Sequence, residues 1–147
     1  MKVVVAIDSL KGSLTSLEAG EAIQEGILRA ISDAEVIVRP LADGGEGTVE
    51  ALTRGMNGRY DKITVTDPLG RPTDAVYGIL EDLHTAIIEM SAAAGITLID
   101  AKDRNPMNTT TYGVGEMIKD AIGKGCRHFF IGIGGSATND GGIGMLQ

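Results

Sequence analysis

Residues that could bind phosphate or a metal ion are concentrated in three short segments of the 147-residue chain. The segments are DSLKGS at 8–13, ADGGEGT at 42–48 and GGSATNDGG at 134–142, and each follows an apolar run. Glycine lets backbone N–H groups come close to an anion, and a carboxylate can hold Mg²⁺ or accept a proton. The residue types therefore indicate phosphate chemistry, although the sequence has no GxxxxGK[ST] phosphate loop.

The same segments also have a purely structural interpretation. Asp43 and Glu46 have the spacing of a capping box, in which two side chains bind backbone N–H groups at a helix start. In the last segment, Asn139 and Asp140 could cap a tight turn. The glycines beside Asp43 favour a functional interpretation, because glycine costs conformational entropy unless the backbone must pass close to another group.

The elements that must position these segments alternate between strand and helix. Apolar runs at 3–7 and 35–38 predict strands that are buried on both faces, as in a parallel sheet. Between them, a 3.6-residue period over 16–31 predicts an amphipathic helix, with Gly20 on its apolar side to allow close packing on the sheet. The other apolar-side residues are Leu17, Ile23, Ile27, Leu28 and Ile31.

The middle of the chain has a different pattern. Alternating segments at 62–66 and 73–80 flank a turn and predict an antiparallel pair, which a third strand at 85–90 follows. A helix is predicted at 111–124 and a last strand at 128–133. We therefore predict an α/β fold with a Rossmann-like parallel sheet and flanking helices, plus an antiparallel-strand excursion that forms part of a second lobe.

This organisation divides the chain into an α/β part at 1–62, a second-lobe segment at 63–108 and an α/β segment at 109–147. Ligands of open α/β sheets bind beyond the carboxyl ends of the strands. If the strands that precede the three segments are parallel neighbours, six side chains are predicted to meet on one rim. They are Lys11, Asp43, Glu46, Ser136, Asn139 and Asp140.

Composition excludes several classes of function. A net charge of −7 and a pI near 4.7 argue against binding to nucleic acid or to an anionic membrane surface, which both need basic patches. The single cysteine, Cys126, cannot form an internal disulfide and is predicted to be a buried structural thiol. No signal peptide or membrane-spanning run is evident, so a cytoplasmic location is expected.

Six blocks of the sequence together resemble the signature blocks of bacterial-type glycerate kinases, in the same order. The blocks are IDSLKGS at 7–13, LADGGEGT at 41–48, DPLGRP at 67–72, AIIEMSAAAG at 86–95, TTTYGVGE at 109–116 and GIGGSATNDGG at 132–142. The resemblance implies ATP- and Mg²⁺-dependent phosphorylation of D-glycerate, usually to 2-phosphoglycerate, in a cleft between two α/β domains. Members are considerably longer, so this chain is expected to be an amino-terminal portion that is inactive alone.

The resemblance turns the rim residues into predicted site residues, and chemistry suggests their roles. Lys11 is assigned to phosphate oxygens, Asp43 or Asp140 to Mg²⁺, and Asp140 to the glycerate hydroxyl. These three are the predicted catalytic residues. The predicted substrate- and phosphate-binding residues are Ser9, Gly44, Gly45, Glu46, Gly134, Gly135, Ser136, Thr138 and Asn139.

Two other classes of function compete with a kinase. A fragment that binds phosphate or nucleotide without turnover is the first alternative. A dinucleotide-dependent oxidoreductase is the second, and it is disfavoured because the first strand leads into DSLKGS and not into GxGxxG. The expected partners are ATP and D-glycerate, with no nucleic acid and no membrane, and a homo-oligomer remains open.

Overall fold

A computed structural model describes residues 1–10 and 13–147. The predicted site residue Lys11 therefore lies outside the described residues. The strands are β1 (Lys2–Ile7), β2 (Glu35–Pro40), β3 (Arg59–Thr66), β4 (Pro72–Leu80), β5 (Thr85–Glu89) and β6 (His128–Gly132). The helices are α1 (Ser16–Ala30), α2 (Thr48–Gly55), α3 (Ser91–Ala94) and α4 (Tyr112–Gly123).

The described strands form two sheets flanked by helices, which confirms the α/β fold class. β1 and β2 form a parallel two-stranded sheet, with Val4 opposite Ile37. The other sheet has the order β3-β4-β5-β6, in which β4 is antiparallel to both of its neighbours and β5 is parallel to β6. The antiparallel pair predicted for the middle of the chain is thus confirmed.

The condition for a single rim, that the strands before the three segments are parallel neighbours, is not met, because among the described strands β6 does not pair with β1 or β2. It pairs with β5 instead, with Ile88 opposite Ile131. The four-stranded sheet also joins strands from different predicted segments: β3 (Arg59–Thr66) crosses the boundary at residue 62, and β6 lies beyond the boundary at 108. The division into three segments stays a prediction.

The amino end of α1 is fixed by a capping box. The hydroxyl of Thr15 accepts a hydrogen bond from the Glu18 N–H at 3.2 Å, and the Glu18 carboxylate accepts one from the Thr15 N–H at 2.8 Å. Gly20 packs as predicted, since a Cβ added there would lie 2.5 Å from Cγ1 of Val38 on β2. The predicted apolar face is only partly buried, because Ile23 is 40% exposed.

The main core lies between the four-stranded sheet and α4. Tyr77 and Ile88 from the sheet and Met117 from α4 are fully buried there. Cys126 is buried in the same cluster, as predicted, and burial raises the pKa of its thiol. Within the described residues no helix has the length and apolar character to cross a membrane.

Thr53 in α2 offers a first test of this packing. Its hydroxyl is completely buried and has no hydrogen-bond partner among the described residues. A buried polar group without a partner costs about 1–3 kcal/mol. We therefore expect Thr53→Val, which keeps the shape and removes the hydroxyl, to raise the free energy of unfolding by about 1 kcal/mol. Urea denaturation of the two proteins measures this; a less stable valine variant would contradict it.

Candidate active site

The three glycine-containing segments meet at one cleft, with a volume of about 560 Å³. The first segment contributes Ser9 and Ser13, and the last contributes Gly134 and Gly135. The second segment contributes Asp43, Gly45, Glu46 and Gly47. The described lining residues are Ser9, Ser13, Leu14, Thr15, Ser16, Glu18, Asp43, Gly45, Glu46, Gly47, Gly134 and Gly135. The cleft therefore contains six of the predicted site residues: Ser9, Asp43, Gly45, Glu46, Gly134 and Gly135.

Direct backbone contact joins the second and third segments, although their strands belong to different sheets. The N–H of Gly134 donates to the carbonyl oxygen of Gly44 at 2.9 Å. A Cβ on Gly134 would lie 2.6 Å from the Cα of Gly45, and one on Gly132 would lie 2.6 Å from the Gly44 oxygen. Only glycine allows the two backbones to approach so closely. This contact is what brings the last segment to the cleft.

Asp43 and Glu46 do not form the capping box that their spacing suggests. The helix that follows, α2, begins later, with Gly47 as its N-cap at a φ of +90°. Asp43 instead turns back on its own loop, where its Oδ1 accepts a hydrogen bond from the Gly45 N–H at 3.0 Å. Both carboxylates line the cleft, where they are accessible to a ligand, and their functional role stays a prediction.

Two helices begin at the cleft, beside the carboxylates of Glu18, Asp43 and Glu46 that also line it. Thr15 and Ser16 at the start of α1 and Gly47 at the start of α2 all line it. The amino end of a helix carries a partial positive charge and favours anions. A phosphate or carboxylate ligand and a bridging cation would therefore both find complementary groups in this cleft.

The remaining residues of the last segment are turned to other contacts. The hydroxyls of Ser136 and Thr138 bind each other at 2.8 Å, and the Thr138 N–H donates to the Ser136 hydroxyl at 3.2 Å. The Ala137 N–H donates to the carbonyl of Ala94, which anchors this part of the loop to α3. Asn139 is exposed. None of these residues is among the described residues that line the cleft.

Asp140 fixes the start of α4 and is not among the described cleft residues. Its Oδ2 accepts hydrogen bonds from the Thr111 N–H and hydroxyl, both at 2.8 Å, and from the Gly144 N–H at 3.2 Å. Its Oδ1 accepts from the Gly142 N–H at 2.9 Å. Burial alone would raise the pKa of this carboxyl, but these donors outweigh burial and lower it. The geometry therefore favours the capping interpretation of Asp140.

The variant Asp140→Ala should be less stable than the wild type. Because it removes a carboxylate with four donors, we expect it to lower the free energy of unfolding by about 1.5–3 kcal/mol at pH 7. A carboxyl whose pKa is lowered by folding stabilises above its unfolded pKa, about 3.9, and this stability is lost as the pH falls through the folded pKa. The difference between the two proteins should therefore shrink as the pH falls below about 4. Urea denaturation at several pH values measures it; a difference that persists at low pH would contradict this role.

The cleft offers a partial metal site. Asp43 supplies a carboxylate, and Mg²⁺ is commonly held by one or two carboxylates together with substrate phosphates and water. Across residues 1–10 and 13–147, no group of three or more histidine, cysteine, aspartate or glutamate side chains could hold a metal ion. One carboxylate of this kind is enough for a magnesium ion that is shared with phosphate. The Asp140 carboxylate is surrounded by four N–H and O–H donors, and the assignment of Mg²⁺ to Asp43 or Asp140 stays a prediction.

A larger cavity, of about 800 Å³, lies elsewhere on the molecule. It is formed by α4 and residues 144–147. Its described lining includes neither Asp43 nor the glycines Gly134 and Gly135, whose backbone N–H groups could bind an anion. Its lining includes the charged residues Glu116, Lys119, Asp120 and Lys124, but no described residue of the three glycine-containing segments. The smaller cleft, where all three segments meet, is therefore the candidate site.

Comparison with other proteins identifies the family of the chain. The sequence pattern of the glycerate kinase family matches residues 3–147. The chain belongs to the glycerate kinase family. This confirms the resemblance seen in the six sequence blocks.

Named family relatives match the whole chain. It is 51% identical to a glycerate kinase from Haemophilus influenzae and 50% identical to one from Bacillus subtilis, over all 147 residues in each case. It is 48% identical to the glycerate 2-kinase of Escherichia coli. The chain covers only 38–39% of the length of these three relatives.

A solved structure has the same fold. The crystal structure of a Salmonella typhimurium LT2 protein assigned as glycerate kinase 2 superposes on the whole chain with a TM-score of 0.91 at 49% identity. The chain covers 40% of that structure. The two-sheet arrangement is thus shared with a structure from this family.

Two features of the site were not predicted from the sequence. Thr15 and Glu18 line the cleft, and the signal for them was the capping-box spacing T-x-x-E directly after the first segment. The second feature is Glu89, which contacts the start of α2 and so supports the Asp43 loop. An acidic residue at the end of an otherwise apolar strand was its only signal.

Proposed function

We propose that this chain forms part of an enzyme that transfers the γ-phosphoryl group of ATP to D-glycerate with the help of Mg²⁺. The observation that carries the proposal is the cleft in which three segments of a glycerate kinase family member bring carboxylates, glycine backbone and two helix starts together. In the reaction, a glycerate hydroxyl oxygen forms a bond to the γ-phosphorus. The bond from that phosphorus to the bridging oxygen of ADP breaks, and the hydroxyl proton leaves.

The residues of the cleft suggest how this transfer is assisted. Phosphoryl transfer depends chiefly on positioning and on neutralising charge. Gly134, Gly135 and the start of α1 would hold phosphate oxygens or the glycerate carboxylate, and Asp43 would hold Mg²⁺. When bound, Mg²⁺ neutralises phosphate charge. Lys11 is proposed to do the same from the first segment.

The proton acceptor is best sought among the cleft carboxylates. Asp140 was predicted for this role, but its oxygens are engaged at the start of α4. Glu46 lines the cleft and is exposed, so it is the carboxylate that we propose to accept the hydroxyl proton. Phosphorylation at the 2-position, giving 2-phosphoglycerate, is supported by the name of the Escherichia coli relative, glycerate 2-kinase. The proposal includes a cytoplasmic location, where ATP and Mg²⁺ are supplied.

A second candidate function is binding of phosphate or nucleotide without turnover. It is favoured for the isolated chain because the chain spans about 39% of the length of its relatives. A cleft that is only partly enclosed excludes water poorly and fixes two substrates poorly. We therefore propose that the 147 residues alone bind ligand but turn over little.

A hybrid protein can test both functions. In it, these residues replace the matching stretch of the Bacillus subtilis glycerate kinase, to which they are 50% identical. ADP release is measured for the hybrid and for the chain alone, with ATP and Mg²⁺, in the presence of D-glycerate and in its absence. We expect glycerate-dependent release from the hybrid and little from the chain. A folded hybrid that releases ADP no faster with D-glycerate would contradict the proposed reaction.

A further inference from the structure

Glu89 occupies an unusual place at the end of a buried strand. The four preceding residues of β5 (Thr85–Glu89) are buried, whereas Glu89 is half-buried. Its Oε1 accepts a hydrogen bond from the Val49 N–H at 2.7 Å, in the first turn of α2. The hydroxyl of Ser91 lies 3.4 Å from its Oε2. The Val49 hydrogen bond holds the start of α2 to the end of β5, whereas Ser91 is a local neighbour of Glu89.

The contact supplies a cap that α2 does not provide itself. The N-cap residue, Gly47, has no side chain that could accept the first N–H groups of the helix. Glu89, 40 residues away from Val49 in sequence, does so instead. Burial raises the pKa of Glu89, and the donors Val49 and Ser91 oppose that rise without cancelling it. Capping alone does not require a half-buried carboxyl group, because burying a charged group costs free energy.

The amino end of the segment 44–47 is held by the neighbouring strand, β6. The carbonyl oxygen of Gly44 accepts a hydrogen bond from the N–H of Gly134, two residues after β6 ends. Glu89 lies opposite Gly132 in the parallel pairing of β5 with β6. The carboxyl ends of two neighbouring strands thus hold residues 44–47 from both sides. Asp43 and Glu46, which line the cleft, lie on this held segment or next to it.

We propose that Glu89 is a positioning residue that fixes residues 44–47, and through them the carboxylates of Asp43 and Glu46 in the cleft. Glu89 itself is not among the described residues that line the cleft, so its effect on ligands passes through the loop. The expected loss of enzyme activity rests on the proposed function. The expected loosening of residues 44–47 does not depend on it.

Hydrogen exchange tests the loop directly in the hybrid protein. The matched control is Glu116, whose carboxylate also accepts a backbone N–H from another element, that of Thr66 at 2.6 Å. We expect Glu89→Ala to speed exchange of the amides of residues 47–49 at least tenfold, and Glu116→Ala to leave them unchanged. Unchanged exchange in Glu89→Ala, or equal acceleration by Glu116→Ala, would overturn the proposal.

Glu89→Gln separates positioning from simple loss of stability. Its side-chain oxygen can still accept the Val49 N–H, so we expect exchange and kcat within about threefold of the wild type. Glu89→Ala should lower kcat at least tenfold with a smaller change in the KM for ATP. A fully active Glu89→Ala hybrid, or a glutamine variant as impaired as alanine, would overturn the inference. If the wild-type hybrid does not phosphorylate glycerate, the proposed function fails, and the exchange data alone decide the role of Glu89.

Discussion

Replacing Asp43 with asparagine in the hybrid is expected to lower kcat for D-glycerate phosphorylation by about 10²–10³-fold, the usual effect of removing one electrostatic group from a site. The substituted amide keeps an oxygen that can accept the Gly45 N–H, so the loop should retain its shape. The variant loses the negative charge that would hold Mg²⁺ beside the phosphates. The expected change in the free energy of unfolding is within about 0.5–1 kcal/mol.

The matched control for this prediction is Asp74→Asn. Asp74 is an exposed carboxylate on β4 that pairs with Lys62 at 2.7 Å, outside the cleft. Exposed ion pairs are worth about 0–1 kcal/mol, so this variant should keep both activity and stability. Steady-state kinetics at several Mg²⁺ concentrations measure both proteins. Near-normal kcat in Asp43→Asn would remove Asp43 from the proposed metal site.

Gly134→Ala is expected to have the second large effect, because the close contact between two segments leaves no room for a side chain. The added Cβ would lie 2.6 Å from the Cα of Gly45 and 3.0 Å from its nitrogen, and both are backbone atoms that cannot rotate away. The segments must move apart, which should cost about 1–3 kcal/mol of stability. A displacement of about 1 Å in a catalytic loop can cost about 10²-fold in rate, so we expect a loss of that order in kcat/KM.

A second glycine provides the control for Gly134→Ala. Gly26 lies on the exposed side of α1, and a Cβ there would meet nothing within 4 Å. Gly26→Ala should therefore stabilise the helix by about 0.5–1 kcal/mol and leave the kinetics unchanged. Thermal melting measures the stability of both variants, and initial rates measure their activity. Equal kinetic losses in the two would show that the contact at Gly134 is not the cause.

Most of the elements could be predicted from local patterns. The continuous apolar run of β1 and the alternation of β3 and β4 are properties of neighbouring residues, and each gave the correct element. The predicted burial of β1 on both faces is wrong, because Val4 is 58% exposed. The close packing of Gly20 on β2 was also predictable, because a glycine on the apolar face of a helix has few other uses. The three segments likewise follow strand ends, and parts of all three line one cleft. Of the six side chains predicted to share a rim, however, Asp43 and Glu46 are the two that line this cleft among the described residues.

Contacts between residues that are distant in sequence could not be predicted in this way. Whether β6 pairs with β2 or with β5 depends on how the whole chain packs, and periodicity carries no such information. The spacing of Asp43 and Glu46 fits a capping box, but α2 begins after both residues, with Gly47 as its N-cap. The Val49 N–H in its first turn is bound by Glu89 instead. For Asp140, the sequence could not distinguish a carboxylate that faces a ligand from one that binds Thr111 and Gly144.

The central claim is that the ligands bind where the three segments meet. Hydrogen exchange of the hybrid with D-glycerate, Mg²⁺ and a non-hydrolysable ATP analogue, compared with the free protein, tests it most directly. We predict slower exchange at residues 13–18, 43–49 and 132–136, which surround the cleft. Protection confined to α4 and residues 144–147, which line the larger cavity, would contradict the claim.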